Sequence, residues 1–162
     1  MYLVHTRSNI CYIMNDLSQF MSDPKHIHWV AAKHVLRYVR ATITYGLRYT
    51  SSSGVLLAGY ANSDWAGSVV DQKSTSGYCF IMVFAMISWS NRKQGSIAQS
   101  TTKAKYIAAS DACKIVDCGY PDQATNEQIV DILTKPLTTT KFVYFRDKLG
   151  MAEKNSLVER EC

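Results

Sequence analysis

The chain has 162 residues, 47% of them hydrophobic, enough to bury the core of one compact domain or of one and a half small ones. Its net charge of +5 and pI near 8.9 permit a polyanionic partner such as nucleic acid without requiring one. No apolar run reaches the length of a membrane span and the N-terminus lacks the layout of a signal peptide, so no membrane partner is expected. Met1 followed directly by Tyr-Leu-Val-His reads as a start inside a longer coding region.

Residues 1–50 read as helical. A first helix over about 10–21 carries Ile13, Leu17 and Phe20 on one side. Asp23-Pro24 then reads as a start signal, with Asp as N-cap and Pro in the first turn. Beyond it Trp29, Ala32, Leu36 and Val39 recur at helical spacing and are expected to face the core, while Lys33, Arg37 and Arg40 line another face. Such a face is either solvated or tracks phosphates. His26 and His28 lie two residues apart, share no helix face, and read as a solvated helix end rather than a metal pair.

Residues 51–54, Ser-Ser-Ser-Gly, read as a linker. The apolar lead-in 55–58 opens a strand that ends on Asn62-Ser63-Asp64, a turn-rich bridge follows, and a second strand returns from Gly77: an antiparallel hairpin. Val83-Phe84 stands where a tight return would want glycine, so a wider loop is expected there. A third strand over 87–90 runs on toward residue 99, and a helix with small packing residues spans about 101–116, ended by Gly119-Tyr120-Pro121. Closing helices are expected from near Asn126 and Lys141, and the charged tail 152–162 should fray. The fold class is thus α+β, a three-stranded antiparallel sheet with helices. The five cysteines (Cys11, Cys79, Cys113, Cys118, Cys162) are odd in number and scattered, which suits reduced thiols of an intracellular protein, cytoplasmic or nuclear. Cys113 and Cys118 lack the second ligand pair of a zinc site.

The run Gly59 to Phe80, with Trp65-Ala66-Gly67 and Lys73-Ser74-Thr75-Ser76-Gly77-Tyr78, resembles the opening of the ribonuclease H domain of copia-type retrotransposon Pol polyproteins, close to G-Y-[SC]-D-[AS]-D-W-A-G then D-x-[RK]-S-T-S-G-Y. Upstream, T-R-S-N-I, H-W-V-A-A-K-H-V-L-R-Y-V-R and Y-G-L-R-Y are similar to the segment joining the reverse transcriptase to that domain, although Ser8 and Asn9 depart from the usual T-R-P-D-I. Downstream, V-D-I-L-T-K-P-L and the Lys141–Gly150 run match the family's closing segment. The resemblance covers residues 2–151 and implies three parts: a reverse transcriptase thumb or connection remnant at 1–50, a ribonuclease H-like domain at 55–151, and the tail 152–162. The strands and helices that the family carries between its central helix and closing segment are missing, which makes the domain incomplete through an internal deletion. The polymerase's metal-binding aspartates have no counterpart.

Hydrolysis of RNA in an RNA–DNA hybrid uses two divalent ions, and a pair of dications needs a cluster of carboxylates. The resemblance implies four such positions. The first falls on Asn62, the second on Lys105, the third has no counterpart and the fourth falls on Asp131. Asn62 is neutral and Lys105 cationic, so metal binding is not expected; Mg2+ belongs to the intact family, and Asp64 with Asp131 are the ligands if any remain. Asp64 is the candidate substitute for Asn62, but two residues along a strand displace it by roughly 6–7 Å, and a turn or cap role fits it better. Three readings stay open: a catalytically inactive remnant of a ribonuclease H-like domain; a non-catalytic module holding an RNA–DNA hybrid or other nucleic acid weakly through Lys33, Arg37, Arg40, Arg92, Lys93, Lys103 and Lys105; and a chain left unstable by its deletion.

Overall fold

The computed structural model describes residues 2–49, 57–68, 70–115 and 128–154. Short helices α1 (Tyr2–Thr6) and α2 (Cys11–Ser18), separated by a single 3-10 turn at Ser8–Ile10, precede α3 (His26–Ala41) and strand β1 (Tyr45–Leu47). The central sheet follows as β2 (Leu57–Asp64), β3 (Thr75–Met82) and β4 (Ala85–Lys93), and then α4 (Thr101–Cys113). The chain closes with α5 (Asp131–Thr134), α6 (Thr139–Lys148) and β5 (Met151–Glu153). The class is α+β, with the three central strands antiparallel in the order β2-β3-β4.

Alternation along β3 divides the packing between the two faces of the sheet. Cys79 and Ile81 point into a core with Met86, Val130, Ile132, Leu133, Phe145 and Leu149. Ser76 points the other way, where Gln94 Nε2 donates both to its hydroxyl (2.8 Å) and to the Ala104 carbonyl of α4 (2.9 Å). The α4 helix lies close because its buried residues are Ala104, Ala108 and Ala112, spaced four apart, with Ser100 accepting from the Lys103 N–H as N-cap.

Several expectations are corrected. Residues 45–47 are not helical: β1 pairs antiparallel with β5, Gly46 opposite Ala152, so the start of the supposed frayed tail is a strand. Leu149 closes α6, and Gly150, at φ +82°, reverses the chain into β5 in a conformation that side chains resist. The β3–β4 connection is a tight turn rather than a wide loop, because Val83 adopts φ +62° and the register shifts between Phe80 and Ile81 to accommodate it. The third strand stops at Lys93; Gly95 to Ser100 form bends leading to α4. Helix α3 begins at His26, not at Asp23-Pro24, since His28 Nδ1 accepts the Lys25 N–H at 3.0 Å and its ring stacks on Phe20 with centroids 4.0 Å apart. His28 is therefore a capping and packing residue.

The packing face of α3 also differs. Val35 is its buried residue, with His28, Ala31 and Tyr38 half-buried along the same line and Thr42 buried just beyond the helix; of the expected face Ala32 and Val39 are half-buried, whereas Trp29 and Leu36 are 57% and 61% exposed. Contacts explain the rotation: Asn9 donates to the Tyr38 hydroxyl, Tyr38 meets Phe142 edge-on, and Arg7 donates to the Thr42 carbonyl at 2.7 Å. The segment thus docks through small and polar residues, and its two largest apolar side chains are left on the side of the cations. Helix α4 ends at Cys113, short of residue 116; the linker 51–54, the Gly119-Tyr120-Pro121 stop and Asn126 lie outside the described residues. The closing helix among the described residues starts at Asp131, and α6 starts at Thr139, near the expected Lys141.

Candidate functional site

Three residues opposite one another on the sheet, Asn62 of β2, Gly77 of β3 and Asn91 of β4, lie beneath α5. Gly77 lets that helix approach: a Cβ there would sit 2.6 Å from Thr134 Cγ2 and 3.1 Å from Val130. The flanking asparagines hold the helix at its two sides. Asn62 Nδ2 donates to Asp131 Oδ1 at 2.7 Å, and Asn91 Nδ2 donates to the Leu133 carbonyl. Pro136 follows directly, and α5 is limited to one turn. That turn brings Lys135 back over its own start, with Nζ 2.8 Å from Asp131 Oδ2. Both oxygens of Asp131 are thus engaged, one by an amide and one by an ammonium.

Asp64, two residues along the face of Asn62, is half-buried. Burial raises its pKa, Asp131 adds to the rise, and Lys135 opposes it. Its carboxylate packs against Gly67 in the turn after β2, where a side chain could not fit. Beside it a cleft of about 580 Å3 lies between α2, the start of α3 and the β2–β3 connection, with Asp64, Asp16 and Tyr12 on its wall. The Tyr12 hydroxyl is likewise raised, by burial first and then by Asp16 and Asp64. Lys93 lines the same cleft, so its wall carries both signs of charge.

The structure therefore brings Asn62, Asp64 and Asp131 together and joins Lys135 to them. Lys105 is elsewhere, exposed on α4, which packs on the opposite face of the sheet; the cation acting on Asp64 is Lys135. The proposed phosphate contacts are also dispersed. Lys33, Arg37 and Arg40 share the exposed side of α3, which has no acidic residue in its sixteen. Arg92 and Lys93, adjacent on a strand, point to opposite faces. Lys93 is occupied by Asp71 (3.0 Å) and by Gln19 (2.8 Å). Lys103 is exposed at the start of α4, where its backbone N–H completes the cap.

Divalent ions do not fit this arrangement. A pair of dications asks for several free carboxylate oxygens, whereas here Lys135 stands on one oxygen of Asp131 and an amide on the other. Among the described residues no three His, Cys, Asp or Glu side chains group as metal ligands. The Asn62 Oδ1 atom, buried and without a hydrogen-bond partner among the described residues, is one neutral oxygen and cannot replace a carboxylate. Sequence reasoning missed Gly77, Asn91 and Lys135; only Lys135 left a signal, four residues after Asp131 and just before a proline.

Comparison with known proteins identifies the lineage. The chain is 40% identical over 105 residues to the retrovirus-related Pol polyprotein of transposon RE2 of Arabidopsis thaliana, covering 65% of this chain and 7% of that protein. It is 28% identical over 207 aligned positions to that of transposon RE1, also of Arabidopsis thaliana, covering 93% of this chain and 14% of the polyprotein. An alignment longer than the chain closes only over stretches that the relative has and this chain lacks. A protein named secreted RxLR effector protein 161, of Plasmopara viticola, is 46% identical over 113 residues, covering 69% of this chain and 80% of that protein. No family model and no solved structure matches. Two of these relatives are Pol polyproteins of transposons, and this chain belongs to the copia-type retrotransposon Pol polyproteins, of which it spans a short stretch. No helix among the described residues is long and apolar enough to cross a membrane.

Proposed function

We propose that residues 57–154 form a ribonuclease H-like unit that has lost catalysis and keeps its former site as a structural contact. One observation carries this reading: Asp131, matching a catalytic aspartate of the family, is spanned by the Asn62 amide and the Lys135 ammonium. Water activation between two metals has no basis in that arrangement. The test is cleavage of a labelled RNA–DNA hybrid with Mg2+ or Mn2+, where no turnover is expected. Asn62→Asp alone should not restore it, because Lys135 still holds Asp131 and a further aspartate is missing. Cleavage by the unmodified chain, abolished by Asp64→Asn, overturns the proposal.

A second reading is supported by the acid-free face of α3: a non-catalytic, weak nucleic-acid contact through Lys33, Arg37 and Arg40. The three cations stand on this face without an acidic residue on the helix, which favours it as the place where phosphates meet the chain. Affinity should fall steeply with salt and be lost when all three cations become Glu. An intracellular setting suits the buried Cys79 thiol, pushed up to about 12 by burial.

A further inference from the structure

We infer that the nucleic acid held by α3 is single-stranded, and that Trp29 is the platform on which one of its bases stacks. The inference rests on the nucleic-acid reading of α3 and adds the class of strand. Trp29, Lys33, Arg37 and Arg40 follow one another at steps of four, four and three residues along the solvent side, with Leu36 beside them, opposite buried Val35. From Trp29 to Arg40 the row extends about 16 Å at the rise of an α-helix. Trp29 is 57% exposed, and the Lys33 ammonium stands 5.0 Å from its ring centroid, which keeps the indole beside a cation at the surface.

A duplex presents phosphates to such a row but keeps its bases stacked inside, so an indole set among the cations would meet only charged backbone. A single strand matches both features, with its phosphates reaching Lys33, Arg37 and Arg40 and an unpaired base lying on the indole face. The geometry asks for no sequence preference, because every base has a face to stack.

The experiment titrates the full chain with a labelled oligothymidine, the matching DNA duplex and an RNA–DNA hybrid across a salt series. The single strand should bind most tightly and quench the fluorescence of Trp29, a signal absent in Trp29→Phe. Trp29→Ala should weaken it by roughly five- to a hundredfold, while Trp29→Phe keeps most of the affinity. The slope of log affinity against log salt should stay unchanged in Trp29→Ala and fall by about 2 when Lys33, Arg37 and Arg40 all become Ser. Duplex or hybrid bound as tightly as single strand, or Trp29→Ala without effect while the cations still set the slope, overturns the single-strand inference and leaves the contact itself standing. No salt-dependent binding to any of the three, or binding to phosphatidylserine vesicles in its place, overturns both.

Discussion

The α5 turn carries a position that resemblance assigns to chemistry and the α3 helix a cationic face read from residue spacing, and the two have opposite characters. The α5 turn is four residues long, and Ile132, Leu133 and Thr134 are all buried. Its Asp131 and its Leu133 carbonyl are engaged within the chain, by Asn62 with Lys135 and by Asn91, while the Thr134 hydroxyl is buried without a partner among the described residues. The α3 helix is sixteen residues long, buries one, and leaves Trp29, Leu36 and three cations outward. A group committed inside the fold contributes to stability and is unavailable to a ligand; a group left outside contributes little to stability and remains available. On the proposed reading the corner at Asp131 is framework, and the surface open to a partner lies on the helix.

The largest effect expected from that contrast is at Gly77. Replacement by Ala puts a Cβ against Thr134, Val130 and the Leu133 Cβ at 2.6 to 3.2 Å, and these belong to a packed core that yields little. The cost should be about 1–3 kcal/mol in chemical denaturation. A neutral result would show that α5 is not seated on the sheet, and the contrast with α3 would collapse. Asp131→Ala should follow, at about 1–3 kcal/mol, because it leaves the buried Asn62 amide without an acceptor. Arg37→Ala, on the outward face of α3, should by comparison stay within about 0.5 kcal/mol. Equal losses at the two positions would break the distinction between framework and free surface.

How far this was legible in the sequence depends on which interactions are local. The apolar lead-in, the turn residues between Trp65 and Ser74 and the apolar return made the β2–β3 hairpin legible, although β3 starts at Thr75, two residues before the expected Gly77. The Val83–Phe84 turn was illegible because a β-branched residue in the left-handed region breaks the local rule, and only the pairing of two long strands around it compensates. The face of α3 was misjudged because size was taken for burial. Tyr38 meets Asn9 and Phe142, and Thr42 just beyond the helix meets Arg7, none of which periodicity can reveal. The candidate site was legible only through resemblance, which named Asn62 and Asp131. That Gly77 admits the helix is a property of packing between segments more than fifty residues apart, whereas the Lys135–Asp131 pair is local, four residues along the chain.

The smallest predicted effect sharpens the contrast from the charge side. Asp64 is half-buried, and its carboxyl is raised above its ordinary 3.8 by burial and by Asp131, only partly offset by Lys135. A carboxyl raised on folding takes up its proton more readily in the native state, so the charged form costs stability once the pH exceeds the folded value. Below 3.8 both states are protonated and the cost is absent. Asp64→Asn should therefore stabilise the chain at neutral pH by less than about 1 kcal/mol, since the site is partly solvated and screened. That gain should vanish as the pH falls below the unfolded value. Thermal melts of the two proteins across this range measure the difference directly. A mutant less stable than the parent at neutral pH would mean that the Asp64 charge is held by a favourable contact, with the attraction of Lys135 outweighing burial and the repulsion of Asp131.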